Sequence, residues 1–302
     1  MNIIYLPVII QGNPVPLSLG VQIEGRVGDR VQWVIPNRQY QIHVKWRDVE
    51  TIKGIYNWSI YDPDFEALAG HRVTIGIKVV PEWARLWAGY IASPPKVGCY
   101  IDLANFILAL IKKYNPDAVE IFNEPDVDRD AAKWAEEYFG SWCVSSNWYA
   151  GGKLYGQCLK AIYPIVHAEH SNVRIIAGAL MGHDNSLTFL QGAIDGGLQC
   201  DCVSFHKYIG LGGDFNAAYK FANQISLKSS KSIILSETSV INSVDSDELK
   251  NQQADYLAHL KSTFMNSNVD VIQWYTLANN MWGNADLVRN SVPTLAYKEW
   301  RE

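Results

Sequence analysis

The 302-residue sequence predicts an α/β protein, a (β/α)8 TIM barrel in a single domain covering 1–302. Three observations carry that expectation. Eight apolar strand-like runs recur along the chain, helical patterns or long loops separate them, and no low-complexity linker, charge block or short repeat divides the sequence. Most of the runs are continuously apolar, as a parallel strand buried on both faces requires. Eight such runs in about 300 residues is the count of a barrel; a doubly wound sheet is the alternative.

The first three strands are expected at Leu19–Ile23, Tyr40–Trp46 and Val73–Val80. A helix then fits Ile101–Tyr114, because Leu103, Phe106, Leu110 and Tyr114 fall at helical spacing and Lys112 and Lys113 complement the dipole in the last turn. Asn115-Pro116 ends it. The fourth strand, Ala118–Phe122, is followed by the largest interruption, an aromatic-rich insertion at about 126–152 carrying Trp134, Tyr138, Phe139, Trp142, Trp148 and Tyr149. Loops at the C-terminal ends of barrel strands build the active site. The insertion is therefore expected both to pack on itself and to send two or three rings to a ligand, since aromatic faces suit the C–H surface of a sugar. A helix at Gly156–His170 and strands at Val173–Ala177, Cys202–Phe205 and Ile233–Ser236 come next. A helix over Ser246–Asn266, with Asp247 and Glu248 near its start, and a strand at Val269–Trp274 complete the barrel.

Composition narrows the function. The chain is 48% hydrophobic, 19% charged and 12% aromatic, which excludes disorder. Lys+Arg 26 against Asp+Glu 31 gives a net charge of −5, without the basic footprint of a nucleic-acid or anionic-membrane binder, so a neutral partner is expected. No run approaches the roughly 18 apolar residues of a membrane span. The apolar opening, residues 1–10, lacks the basic n-region of a signal peptide because the first Lys or Arg is Arg26, and localisation stays open between cytoplasmic and secreted with the signal removed. A monomer is expected. The five cysteines, Cys99, Cys143, Cys158, Cys200 and Cys202, do not form a small disulfide framework and are expected as reduced, mostly buried thiols. Neither Cys200-Asp-Cys202 nor His167-Ala-Glu-His170 has metal-site spacing, and Gly210-Leu-Gly-Gly213 lacks the residues of a phosphate or dinucleotide loop. No metal, nucleotide or other cofactor is expected.

Two strands end in a carboxylate. Ala118-Val-Glu-Ile-Phe runs into Asn123-Glu124-Pro125, and Ser232-Ile-Ile-Leu-Ser runs into Glu237. On the fourth and seventh strands of a barrel, these ends face each other across the pocket. Two carboxyls sharing a cleft suit glycoside hydrolysis, in which one is protonated to release the leaving oxygen and the other is ionised to attack the anomeric carbon.

With those residues in place, the sequence resembles the clan A retaining glycoside hydrolases, (β/α)8 barrels, closest in style to family 39 and related bacterial barrels. The likeness extends in order through Trp46-Arg-Asp-Val-Glu50, Gly54-Ile-Tyr-Asn-Trp58, Val80-Pro-Glu-Trp83, Ser204-Phe-His-Lys-Tyr208, Gln273-Trp274-Tyr275, Asp286-Leu-Val288 and Ala296-Tyr297. The resemblance implies Glu124 as proton donor and Glu237 as nucleophile, Asn123 on the sugar 2-hydroxyl, and Tyr208 with His206 orienting Glu237. It also implies Trp274 as the floor under the sugar, with Glu82 and Trp83 as sugar contacts. One departure stands out: many clan members carry an arginine five positions before the tryptophan of the second strand, where this chain has Gln41. Lys45 and His43 are the expected replacements.

The expected function is thus a retaining β-glycoside hydrolase acting on a β-linked oligo- or polysaccharide. One alternative is a catalytically weak or silent carbohydrate-binding barrel. A barrel of unrelated chemistry would want metal ligands or a Schiff-base lysine, for which Lys45, Lys78 and Lys207 are the candidates.

Overall fold

The computed structural model describes residues 17–23, 25–134, 137, 140–278, 284–289 and 292–302. The apolar opening, Tyr138, Phe139 and the Trp134 side chain lie outside the described residues. Eight parallel strands close in sequence order into a barrel: β1 (Ser18–Gln22), β2 (Gln39–Lys45), β3 (Arg72–Lys78), β4 (Ala118–Ile121), β5 (Arg174–Leu180), β6 (Cys202–Gly210), β7 (Ser232–Ile241) and β8 (Val269–Tyr275). The doubly wound alternative falls, because β1 pairs with β8.

The connections carry α1 (Trp46–Val49) and α2 (Asp62–Ala67) after β2, then α3 (Tyr100–Tyr114), α4 (Trp148–Glu169), α5 (Asp184–Asp195), α6 (Ala217–Ser229), α7 (Asp247–Phe264) and α8 (Leu295–Arg301) after the six later strands. Only 3-10 turns follow β1. Ser246 caps α7, its side chain accepting from the Leu249 N–H, and Asn115 ends α3 in the left-handed conformation. A two-stranded hairpin, β9 (Val288–Arg289) and β10 (Val292–Pro293), precedes α8. Among the described residues no helix is long and apolar enough to cross a membrane. All five cysteines are buried and unbridged.

Helix α4 starts eight residues before the expected Gly156, so Trp148 and Tyr149 are helical and not part of a loop. Close helix packing explains the glycines that disguise it. A Cβ on Gly152 would stand 1.9 Å from the Phe189 carbonyl oxygen of α5, and one on Gly156 would stand 2.0 Å from that of Ala193. These glycines let two backbones meet.

The barrel interior is layered. Ala118, Ile176, Cys202, Ile234 and Val271 form an apolar plug from β4 to β8. Two residues along the same strand faces come Glu120, Ser204, Ser236 and Gln273, all fully buried. Gln41 Nε2 donates to Glu120 at 3.0 Å and Ser204 Oγ donates to it at 2.7 Å. Barrel layers are ordinarily filled by branched apolar side chains, so this polar layer directly beneath the mouth sets the scene for the site.

Candidate active site

One further step up the strands, β4, β6 and β7 bring Glu124, His206, Tyr208 and Glu237 together. His206 continues the inward face of Cys202 and Ser204, and it stands beside Glu237 in the β6–β7 register just past an irregularity at Phe205. Its Nδ1 lies 2.7 Å from Glu124 Oε1 and 3.2 Å from Glu237 Oε2. Tyr208 donates its hydroxyl to Glu237 Oε2 at 2.6 Å. Glu124 sits in the left-handed region at φ +47, with Phe122 before it at +66, and its N–H donates to the Ala179 carbonyl at 3.0 Å. Non-glycine residues rarely adopt that backbone, and their presence at a strand end is typical of functional sites.

Burial pushes both carboxyls up to about 7. What opposes burial differs between them. Glu237 is relieved by His206, by Lys78 and by the Tyr208 hydroxyl, while the charge of Glu124 raises it further. For Glu124 the relief comes from Lys78. Both carboxyls are thus held protonated toward neutrality, a pair in one cleft in which burial and the neighbouring charge disfavour two ionised groups at once.

Glu124, His206 and Glu237 each present a lone-pair atom within 4.8 Å of the others. Among the described residues, such a trio is the place to look for a bound cation. Its spacing is that of hydrogen bonds, however: Nδ1 at 2.7 Å from a carboxylate oxygen is closer than the roughly 3.3 Å separating two ligands of a tetrahedral ion.

Asn123 is buried beside Glu124, and its carbonyl accepts from the Gly140 N–H at 2.7 Å. The remaining sequence candidates are elsewhere. Trp274 is fully buried outside the barrel, its indole N–H donating to the Ala285 carbonyl at 2.8 Å and its ring against Tyr256 of α7. It is not the floor of the pocket, because strand alternation turns Gln273 and Tyr275 inward and Trp274 outward. The ring at the mouth is Tyr275, edge-on to Tyr208 with centroids 5.8 Å apart; reading the alternation along β8 would have found it. Trp83 packs edge-on against Trp46, donates its N–H to the Glu50 carbonyl at 3.1 Å and carries Lys53 over its face, while Glu82 is exposed.

Lys45 does not reach the carboxyl pair, since its ammonium pairs with Glu137 at 2.5 Å. His43 sits one layer down between Gln22 and Gln41, and Gln41 itself is spent on Glu120. The Lys45 ammonium is therefore turned away from Glu237, and His43 stands between two glutamines. Lys207 points away, its Nζ donating to the Gly182 carbonyl at 2.7 Å beneath Phe221. Of the described rings in the insertion, Trp142 is buried among Tyr100, Phe122 and Tyr155, Trp148 donates to the Asp126 carbonyl, and Tyr149 bonds Asp195 at the surface. These three pack the insertion and do not line the pocket. Composition gave no sign of Glu120, the buried acid beneath the site.

No family model and no curated protein matches the sequence. Solved structures do match its fold. A family 39 glycoside hydrolase from the gut symbiont Bacteroides cellulosilyticus WH2 superposes with a TM-score of 0.65 at 17% identity, over 94% of this chain and 62% of that one. A psychrophilic family 10 endo-β-1,4-xylanase gives 0.69 at 14% identity, over 95% of this chain and 96% of its own. A family 39 β-xylosidase from Caulobacter crescentus gives 0.67 at 16%, over 95% and 70%. This chain thus spans under two thirds of the Bacteroides enzyme and nearly all of the xylanase, with the same barrel architecture.

Proposed function

We propose that the protein is a retaining β-glycoside hydrolase with Glu124 as acid/base and Glu237 as nucleophile. The observation that carries this reading is the buried carboxyl pair, with an oxygen of each within 4.8 Å of the other and both carboxyls raised by burial. Retaining pairs stand about 5–5.5 Å apart and inverting pairs roughly 6.5–9.5 Å, the latter leaving room for a water. The names of the structural neighbours, xylosidase and xylanase, support a β-linked substrate.

In the first step Glu124 protonates the glycosidic oxygen as Glu237 attacks the anomeric carbon, releasing the leaving alcohol and forming a glycosyl ester on Glu237. Glu124, now ionised, takes a proton from water, which attacks the same carbon and frees Glu237. His206 Nδ1 contacts both carboxyls and serves either stage, as donor to an ionised Glu124 or acceptor from a protonated one. Asn123, on the sugar 2-hydroxyl, and Tyr275, under the ring, complete the subsite.

A panel of aryl β-glycosides and β-linked polysaccharides tests this, with the anomeric configuration of the first product read by NMR. Retention in the native protein, and loss of turnover by more than about a thousandfold in Glu237→Gly, are the expected results. Full activity in Glu237→Gly, or an inverted product, overturns it. A second reading, a silent sugar-binding barrel, draws on Gln41 facing Glu120 instead of the nucleophile; it predicts binding of the same sugars without turnover.

A further inference from the structure

Beside His206, the mouth of the barrel and the layer beneath it hold more buried acid than lysines and arginines placed to balance it. Glu120, Glu124, Asp126 and Glu237 are all buried. Burying a carboxylate without a compensating charge costs several kcal/mol. Lys45 and Arg47 are both engaged by Glu137. Arg30 donates to the Ala278 and Arg26 carbonyls, and Arg289 is held by Asp245. Among the described residues, Lys78 is the only buried lysine.

Its place in the barrel explains why. A Cβ on Gly76 would strike His43 Cδ2 at 2.2 Å and approach Gln41 Nε2 at 3.5 Å, so this face of β3 looks into the barrel. Lys78, two residues on and last in the strand, shares that face at the level of the mouth. It pairs in register with Lys45, whose own ammonium is drawn off to Glu137. On the neighbouring side β4 ends and the chain enters Asn123-Glu124.

We propose that Lys78 is the positioning cation of the carboxyl pair, its ammonium balancing Glu124 and Glu237 and holding the nucleophile ionised where Gln41 supplies no charge. This rests on the glycosidase reading for its consequence in catalysis, but not for the charge balance itself. The titratable groups that the barrel strands carry toward its mouth are His43 and Lys45 on β2, Glu120 and Glu124 from β4, His206 and Tyr208 on β6, Glu237 on β7 and Tyr275 on β8. Of these, Glu124 and Glu237 are the two whose ionisation Lys78 favours.

The test is Lys78→Met, which keeps the stem and removes the charge, beside Lys78→Arg, which keeps the charge. Carboxyl titrations are followed by NMR in protein labelled with 13C at the glutamate side-chain carboxyl, with signals assigned from Glu124→Gln and Glu237→Gln. Loss of an opposite charge at close range should raise both carboxyls by about one unit. The kcat/KM profile on an aryl glycoside should then move to higher pH on both limbs, with about a tenfold loss on the acid side and recovery in Lys78→Arg.

A purely structural role would lower kcat or stability and leave the limbs in place; unmoved titrations in a folded Lys78→Met protein overturn the proposal. If the native protein hydrolyses no β-glycoside, the function proposed above falls, and the NMR titration alone decides the role of Lys78. If Lys78→Met does not fold, adding Glu124→Gln should restore folding by removing one of the charges Lys78 balances. Failure of that rescue overturns the proposal too.

Discussion

Replacing Glu124 by glutamine should stabilise the protein above neutral pH, because its carboxyl is held at the site at the expense of its solvation. Burial lifts it from the ordinary 4.5 to about 7, against the pull of Lys78. The folded protein therefore keeps a proton that the unfolded chain releases over that interval. The stability contributed by this carboxyl is complete below pH 4.5 and is lost as the pH rises through 7. At about 1.36 kcal/mol per pH unit the difference amounts to about 3 kcal/mol at pH 8. With an unfolding entropy of about 2.1 cal/mol/K per residue, a chain of this length should gain about 5 °C in Tm. Glutamine cannot ionise and still offers His206 a partner, so Glu124→Gln should recover that amount at pH 8 and melt with the native protein at pH 4.5. Thermal unfolding followed by circular dichroism from pH 4 to 9 measures it. Parallel curves for the two proteins, or an advantage that grows on acidification, would refute the reasoning.

Tyr208→Phe removes the hydroxyl that donates to Glu237 at 2.6 Å; a hydrogen bond to a charged group is worth about 1.5–3 kcal/mol. The acid limb of the kcat/KM profile should move to higher pH, with about a tenfold or greater loss below it. Trp274→Phe should lower Tm through the lost Ala285 bond and leave KM unchanged, whereas Tyr275→Ala should raise KM with little effect on Tm; thermal melts and kinetics on one aryl glycoside separate the two. Gly152→Ala forces a Cβ to within 1.9 Å of the Phe189 carbonyl oxygen. Overpacking at about 1–3 kcal/mol outweighs the helix propensity gained, about 1 kcal/mol, so the melting temperature should fall; a rise would mean that α4 and α5 are not closely packed there.

The barrel and its two carboxylate-bearing strands were legible because each signal is local: an apolar run, then a polar group where the strand stops. What escaped depended on direction or on distant partners. Trp274 and Tyr275 are adjacent, and only their parity on β8 separates a core ring from one at the mouth. Gly151 and Gly152 read as loop, since glycine weakens a helix; the backbone of α5 that Gly152 meets lies nearly forty residues on. Lys45 is a local candidate for the missing arginine charge, but Glu137, from the insertion, captures it. Glu120 lies inside an apolar strand, and its partners Gln41 and Ser204 come from two other strands.

The aromatic insertion gains a different purpose from the one its composition suggests. Glu124 and Phe122 hold left-handed backbone, as does Ala179 on β5, and each such residue costs of order 1–3 kcal/mol. That conformation persists only if its surroundings over-determine it. Tyr155 of α4 donates to the Ile121 carbonyl at 2.7 Å and accepts from the Gly178 N–H at 2.7 Å, tying the ends of β4 and β5 together. Asp126 accepts from the Met181 N–H and from Ser186, while its carbonyl is held by Trp148. Trp142 closes over Phe122 and Tyr155. Trp142 and Trp148 of the insertion, with Tyr155 just beyond it, thus act on the site from behind, fixing the backbone that aims Glu124. Loosening any of them should lower kcat before it alters KM, because it displaces a reacting group and leaves the binding surface intact.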